Sequence, residues 1–319
     1  MKIKNLGREL GVLIALIIMI FIFTILDSTY FTATNFVDIV KMATINGILA
    51  IGITFAIITG GIDLSVGSTF AIVIVAVGNL TVWGISPVSA LISGAVIGAI
   101  LGILNGLLIT KMHLQPFIAT LGTMSVYRGF AYVVTGGWPV LNIPSIFRQA
   151  LGARIVGDIP ISILVLLIIA AITTVLLKYT RFGNYIFAVG SNEEAAKLAG
   201  VNIDMTKIIA YLVCGICAAF AGMIMLANLG TGEPAAGQGY ELDAIAASAI
   251  GGTRMAGGRG SVIGTMLGAL LLAALKIGLI ITGVSTFWQF IVTGVIIIIA
   301  AYFETIQAKL SLILGGRSR

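Results

Sequence analysis

PISILVLLIIAAITTVLLKYTRFGNYIFAVGSNEEAAKLAGVNID, residues 160–204, joins two kinds of chain. Its first part, 160–178, is apolar and long enough to cross a bilayer, which takes roughly 20 mainly apolar residues. Its second part, 181–204, is a charged, helix-forming island. Ser191 and Glu194 have capping-box spacing, so the hydroxyl can cap free N–H groups while the carboxylate bonds back. Glu193 and Glu194 fall in the first turn, where the helix dipole favours negative charge. Glu193 and Lys197 are spaced as an i,i+4 pair, and Gly200 can end the helix. Ala195, Ala196 and Ala199 make a small-residue face. A helix of about two turns is unstable alone in water. Two readings stand: a docking surface for something outside the membrane, or an ordinary polar connector.

Composition generalises the pattern to the whole chain. Of 319 residues, 59% are hydrophobic and 9% charged, against a charged share near 25% in soluble domains. No water-soluble fold of this length hides so much apolar surface, so the bilayer is the solvent. Ten candidate spans are expected, near 10–26, 43–60, 64–82, 86–110, 116–135, 160–178, 206–228, 240–256, 261–282 and 285–303. Those at 64–82 and 240–256 are rich in small residues, which predicts broken or short helices. The fold class expected is an all-α polytopic membrane protein forming one transmembrane domain, 1–319. It divides into a first half plus linking helix (10–178), a polar segment (179–205) and a second half (206–303).

Basic residues set the orientation. With both termini cytoplasmic, thirteen Lys and Arg lie inside or at the inner edge, Lys41, Arg148 and Arg154 lie outside, and Arg128 and Lys276 fall within spans. That is a strong positive-inside pattern. The net charge of +6 is therefore about topology, and no nucleic-acid surface is implied. The N-terminus starts charged and then apolar, but Asp27-Ser28-Thr29-Tyr30 offers no small-residue cleavage site, so 10–26 is expected to stay as the first span. Cys214 and Cys217, with no further ligand nearby, read as buried small hydrophobes.

Gly94, Gly98, Gly102 and Gly106 recur every fourth residue, as do Gly260, Gly264 and Gly268. Such rows let helix backbones approach closely in lipid. Each row follows a segment that opens with an acidic residue: Asp63 in GGIDLSVGS, and Glu241 with Asp243 in GYELDAIAAS. The expected topology starts the first segment inside and the second outside, which makes the halves an inverted repeat, a common transporter architecture.

Polar residues inside apolar stretches are the site candidates. Asp63, beside Ser65, is placed as a cap and dipole partner for a helix from Leu64. Ionisable groups at membrane depth are functional by default, yet a capping role needs no substrate. Ser248 sits in a nearly bulkless span that suits either a crowded helix contact or a pathway wall. Arg128 lies mid-span without an evident counter-ion and Lys276 is similar; each suits a polar cavity or a packing role. The lone His113 has no cluster around it. There is no Gly-Lys dipeptide, hence no Walker-type loop, no HExxH pattern, no chain of carboxylates for proton relay and no arginine-rich voltage sensor. A conduit without an engine must draw energy from a partner.

Several long motifs now read together: ITGGIDLSVGS (58–68), PFIATLGTMSVYRG (116–129), FGNYIFAVGSNEEAAKLAGVN (182–202), YELDAIAASAIGGTRMAGGRGSVIGT (240–265) and GVSTFWQFIVTGVIIIIA (283–300). In order, from about residue 35 to residue 303, the chain resembles the permease subunit of bacterial ABC importers for simple sugars. The resemblance implies a ten-helix fold like that of cobalamin-type importers and a homodimer around one pathway. It also implies a cytoplasmic ATPase partner that binds ATP and Mg, and a periplasmic or lipid-anchored sugar-binding protein. No cofactor is expected in this chain. By resemblance, Ser191, Asn192, Glu193, Glu194, Ala195, Ala196, Lys197, Leu198, Ala199 and Gly200 form the coupling segment that enters a cleft of the ATPase. Asp63, Ser65, Arg128, Glu241, Asp243 and Ser248 are the pathway or gating candidates, and Arg148 and Arg154 the candidates for docking the binding protein. Lys276-Ile277 and LGTGEP (229–234) depart from the ribose pattern, so the expected substrate is a simple sugar, ribose first. An ion-coupled secondary transporter is the alternative, with Asp63 alone a poor ion site. An intramembrane enzyme lacks a visible nucleophile–base pair.

Overall fold

The computed structural model describes residues 2–153, 160–285, 287–296, 298–299 and 302. Among them the regular elements are helices, and Val140 and Gly232 form an isolated antiparallel bridge. The helices are α1 (Lys2–Leu26), α2 (Ala33–Ile58), α3 (Val66–Val82), α4 (Pro87–Thr110), α5 (Pro116–Thr135), α6 (Ser145–Gly152) and α7 (Ile161–Tyr179). They continue as α8 (Arg181–Ser191), α9 (Glu193–Leu198), α10 (Ile203–Leu229), α11 (Tyr240–Ile250), α12 (Val262–Ile281) and α13 (Phe287–Ile296). The protein is an all-α polytopic membrane protein.

Every one of the ten expected stretches carries a helix, but ten full crossings are not confirmed among the described residues. Seven helices have the length and apolarity to span: α1, α2, α4, α5, α7, α10 and α12. At 1.5 Å per residue, the 17 residues of α3 and the 11 of α11 reach only about 25 and 16 Å of a core roughly 30 Å thick. The small-residue composition of both stretches had pointed that way. Part of the stretch 285–303 lies outside the described residues. α2 also begins ten residues before the apolar signal at 43, because Thr32 caps it by accepting from Asn35 N, and Asp38 and Lys41 pair on its first turns (3.2 Å).

α2 and α10 form the centre. Their most apolar windows are 89% and 67% buried, against 17% for α1 and 22% for α5. α10 packs on α4 and α2. The α4 glycine row is the reason α4 can lie so close. A Cβ on Gly98 would fall 2.3 Å from Gly215 O, one on Gly102 2.2 Å from Tyr211 O, and one on Gly106 2.7 Å from Ile208 Cα. The second row does the same for α12 on α11: a Cβ on Gly264 would meet Gly251 O at 2.1 Å and one on Gly268 Ala247 O at 2.1 Å. Thus one succession occurs twice: a long buried helix, a polar break, a short helix, then a glycine-rowed helix. α12 crosses to pack on α2 as α4 packs on α10, so each half supports the other's long helix. Cys214 and Cys217 are buried at this centre, and Cys214 Sγ donates to Gly52 O (2.9 Å).

Candidate functional site

The polar island is two helices, and its cap differs from the one expected. α8 runs through Ser191, whose hydroxyl donates back to Phe187 O (2.7 Å) as an ordinary helical residue. The chain then turns extended at Asn192 (φ −162°, ψ 107°), and Asn192 Oδ1 accepts from Ala195 N (2.9 Å). The Ser191–Glu194 capping box is therefore not formed; the cap sits one residue later, because α8 holds Ser191 and Asn caps as well as Ser. The expected Glu193–Lys197 pair is absent too. Glu193 instead bonds Lys207 at the start of α10 (2.7 Å), a better anchored partner whose side chain is 18% exposed. Gly200 ends the turn with φ +80°, as expected. From 191 to 200 only Ala196 is buried, and Leu198 is 91% exposed. So α9 is seated by one alanine, one ion pair and one cap, and presents everything else outward. Asn192→Ala should remove the cap, worth about 1 kcal/mol. Amide hydrogen exchange in α9 should then speed up roughly fivefold, with exchange in α10 unchanged.

Behind α9 lies a cavity of about 380 Å³ lined by Thr59, Gly61, Asn192, Glu193, Lys207 and Tyr211, among others. It connects α9 to the break between α2 and α3. A Cβ on Gly190 of α8 would fall 1.6 Å from Ile58 O, the carbonyl that accepts Gly258 N (2.9 Å). The end of α8, the end of α2 and the loop after α11 thus share one backbone contact.

Asp63 lies at that break and is buried. Its Oδ1 accepts from Ser65 N (2.9 Å), Ser65 Oγ (2.7 Å) and Asn105 Nδ2 (3.4 Å). Asn105 Nδ2 also donates to Ser65 Oγ (2.7 Å), and Tyr127 OH donates to Leu101 O (3.1 Å) and Asn105 Oδ1 (3.4 Å). Tyr211 and Thr120 donate to Ile62 O (3.4 and 3.1 Å). The helix begins at Val66 rather than Leu64, since Asp63 closes a tight turn over Ser65 before it.

Arg128 finds its partners in backbone. Its guanidinium donates to Pro234 O (2.8 Å), Ala236 O (2.7 Å) and Gly67 O (3.0 Å). Glu241 reaches the same glycine: a Cβ on Gly67 would lie 2.3 Å from Glu241 Oε2, while Oε1 accepts from Gly239 N (3.2 Å). Arg128 and Glu241 attract each other across it, and Phe70 meets Tyr240 edge-on (centroids 5.6 Å). The starts of the two short helices, α3 and α11, therefore abut, and Arg128 clamps the junction.

The other candidates lie elsewhere. Asp243 is buried and bonded to Lys276 of α12, which gives Lys276 the packing role, one of the two considered for it. Ser248 is fully buried; its hydroxyl donates to Ala244 O (2.9 Å) and meets Thr54 Oγ1 (3.1 Å), which in turn meets Thr265 Oγ1 (2.8 Å). Arg148 is on amphipathic α6, which buries Phe147 and Leu151, and Arg154 lies outside the described residues. Sequence reasoning missed Asn105, Tyr211 and Lys207. Asn105 carried a usable signal, a lone amide inside the α4 glycine row; the others needed the fold. Among the described residues no three His, Cys, Asp or Glu side chains cluster as a metal site.

Broken short helices meeting at a charged clamp between two long buried helices, with a solvent-facing helical stub on one end, define a membrane transport subunit. Residues 35–301 match the family described as branched-chain amino acid transport system / permease component, and the chain belongs to that family. It is similar to the ribose import permease protein of Bacillus subtilis (strain 168), 42% identical over 93% of this chain and 92% of that one. It is likewise similar to the ribose import permease protein of Escherichia coli (strain K12), 39% identical over 92% of each. The D-allose transport system permease protein of E. coli K12 is 34% identical over 94% of this chain and 92% of that one. No solved structure matches.

Proposed function

We propose that the chain is the membrane-spanning permease of an ATP-binding-cassette importer for a monosaccharide, ribose foremost. It performs no chemistry itself. A cytoplasmic ATPase that binds ATP and Mg grips residues 191–200, a second copy of the permease completes the pathway, and a sugar-binding protein delivers the substrate from outside. Both termini and α9 face the cytoplasm, in accord with the distribution of basic residues. The two halves run in opposite senses within one domain, in accord with their shared succession of elements. The junction of α3 and α11 at Arg128, Gly67 and Glu241 is the part of the protomer that moves when α9 is pulled, because α8 bears on Ile58 O beside the α2–α3 break.

The observation that carries this reading is α9: a capped, acid-started helix exposed at every residue but Ala196, in a chain 42% identical to a ribose import permease. ATP must favour one of two arrangements by binding it more tightly, since a ligand shifts an equilibrium only by its differential affinity. Vesicles holding the permease, the ATPase and the binding protein should accumulate ribose with ATP on the ATPase side, with the proton gradient collapsed. A cysteine at Lys197 should react with an impermeant maleimide only from that same side. Accumulation that ignores ATP and follows the proton gradient, or labelling from the opposite side, would overturn the reading.

A further inference from the structure

On the face opposite α9, α6 closes a cavity of about 450 Å³. Among the described residues its polar lining is Lys41 of α2, Ser145, Arg148 and Gln149 of α6, and Asn228 of α10. Two cations, two amides and a hydroxyl converge there. Lys41 spends one hydrogen bond on Asp38 (3.2 Å). Arg148 makes no hydrogen bond or ion pair with a described residue; its guanidinium lies over Gly230, where a Cβ would come within 2.8 Å of Nε. Gly230 thus leaves room for the arginine to rest flat against the end of α10. α6 starts at Ser145 after Pro144 with no side-chain cap, so its first N–H groups are open to an acceptor as well.

Two features choose the anion. Position is the first: Lys41 lies in α2 two residues before the apolar stretch that begins at 43, at the polar edge of a span where basic side chains meet lipid headgroups. The second is what surrounds α6. Trp138 (78% exposed) and Leu141, in the chain leading into α6, and Ile146 (64%), two residues before Arg148, present exposed aromatic and aliphatic surface. Apolar residues and an interfacial tryptophan flanking basic side chains are the composition of an element lying in the bilayer surface. A site for the carboxylates of a water-soluble protein would present polar groups around its cations.

We infer that the cavity between α2, α6 and the end of α10 holds the phosphate headgroup of an anionic phospholipid of the adjacent leaflet. Arg148 and Lys41 neutralise the phosphate, Gln149 and Asn228 hydrogen-bond its oxygens, and Ile146 lies along the acyl chains. This gives Arg148 a different occupant from the binding-protein carboxylates expected from the sequence, and it does not depend on which sugar is carried.

Native mass spectrometry of the full-length permease, exchanged from mixed phosphatidylglycerol and phosphatidylcholine, tests it. Wild type should retain one phosphatidylglycerol per chain in preference to phosphatidylcholine. Arg148→Gln with Lys41→Gln should retain it roughly 20- to 30-fold more weakly, from about 1 kcal/mol per basic residue at the membrane surface. Arg148→Lys, which keeps the charge, should stay within a few-fold of wild type and serves as the folding control. Equal retention by the double variant, or equal retention of the two lipids, would overturn the inference. So would displacement of the lipid by millimolar inorganic phosphate, which marks a free-anion site. Loss of binding-protein capture with lipid retention intact would do the same, by returning Arg148 to a docking role.

Discussion

On the proposed docking of α9, Leu198→Asp should sever the permease from its ATPase while leaving the permease folded. Leu198 is 91% exposed, so in the isolated chain it contacts almost nothing and its loss should not move the melting temperature. An aliphatic side chain that exposed, on a helix held by a cap and an ion pair, offers nearly its whole apolar surface to a partner. Anchors that fill a partner's cleft carry at least about 2 kcal/mol each, and placing a carboxylate there adds desolvation. ATPase affinity should therefore fall roughly 30-fold or more, and ATP-driven uptake with it. Lys197→Ala, at the rim of the same helix, should cost little. Ala196→Leu separates seating from docking: Ala196 is the one buried residue of the stub, and a larger side chain there displaces α9, costing about 1–3 kcal/mol. It should weaken both α9 order and ATPase binding, whereas Leu198→Asp weakens only the second. Pull-down of the ATPase beside hydrogen exchange in α9 distinguishes the two. Undiminished pull-down and uptake by Leu198→Asp would show that the stub is a connector.

The exposed helix α9 was legible because its signals are local: acidic residues at the start, small residues within, Gly200 at the end. The cap was misplaced by one residue because Ser191 belongs to α8, and nothing in the local sequence tells α8 from a loop. The spans were legible for the same reason, as apolar runs with glycine rows, and the bulkless stretches at 64–82 and 240–256 showed as short helices. What the sequence could not carry is pairing across the fold. Asp243 meets Lys276 and Arg128 meets Gly67 and Pro234 over separations of 33, 61 and 106 residues. Each looks alike in sequence, an ionisable group in an apolar run. Only packing divides them into an ion pair that ties α11 to α12, a clamp on the two helix starts, and a buried turn at Asp63.

Gly98 and Gly215 make the second large prediction, and it concerns how the protein is held together. α4 and α10 cross where a Cβ on Gly98 would lie 2.3 Å from Gly215 O, and one on Gly215 2.0 Å from Gly98 O. The obstacle in each case is backbone, which cannot rotate away, so either substitution must push the helices apart. Without a hydrophobic drive between helices in lipid, this close packing is what α4 and α10 lose. Gly98→Val or Gly215→Val should each destabilise the permease by about 3 kcal/mol, the upper end of overpacking costs, and lower the yield of monodisperse protein. The double variant should be little worse than either single one, because helices already spread for the first Cβ accommodate the second. That sub-additivity, read as a coupling between contacting sites, is the signature of one shared crossing. Gly122 and Gly129 on α5 are the controls: nothing lies within 4 Å of a Cβ at either, so Ala there should leave the fold unharmed and favour the helix by up to about 1 kcal/mol. Thermal unfolding in detergent ranks all five variants. Additive losses at Gly98 and Gly215 would mean two independent contacts, and the α4 row would then lose its role as the seam on which α10 is seated.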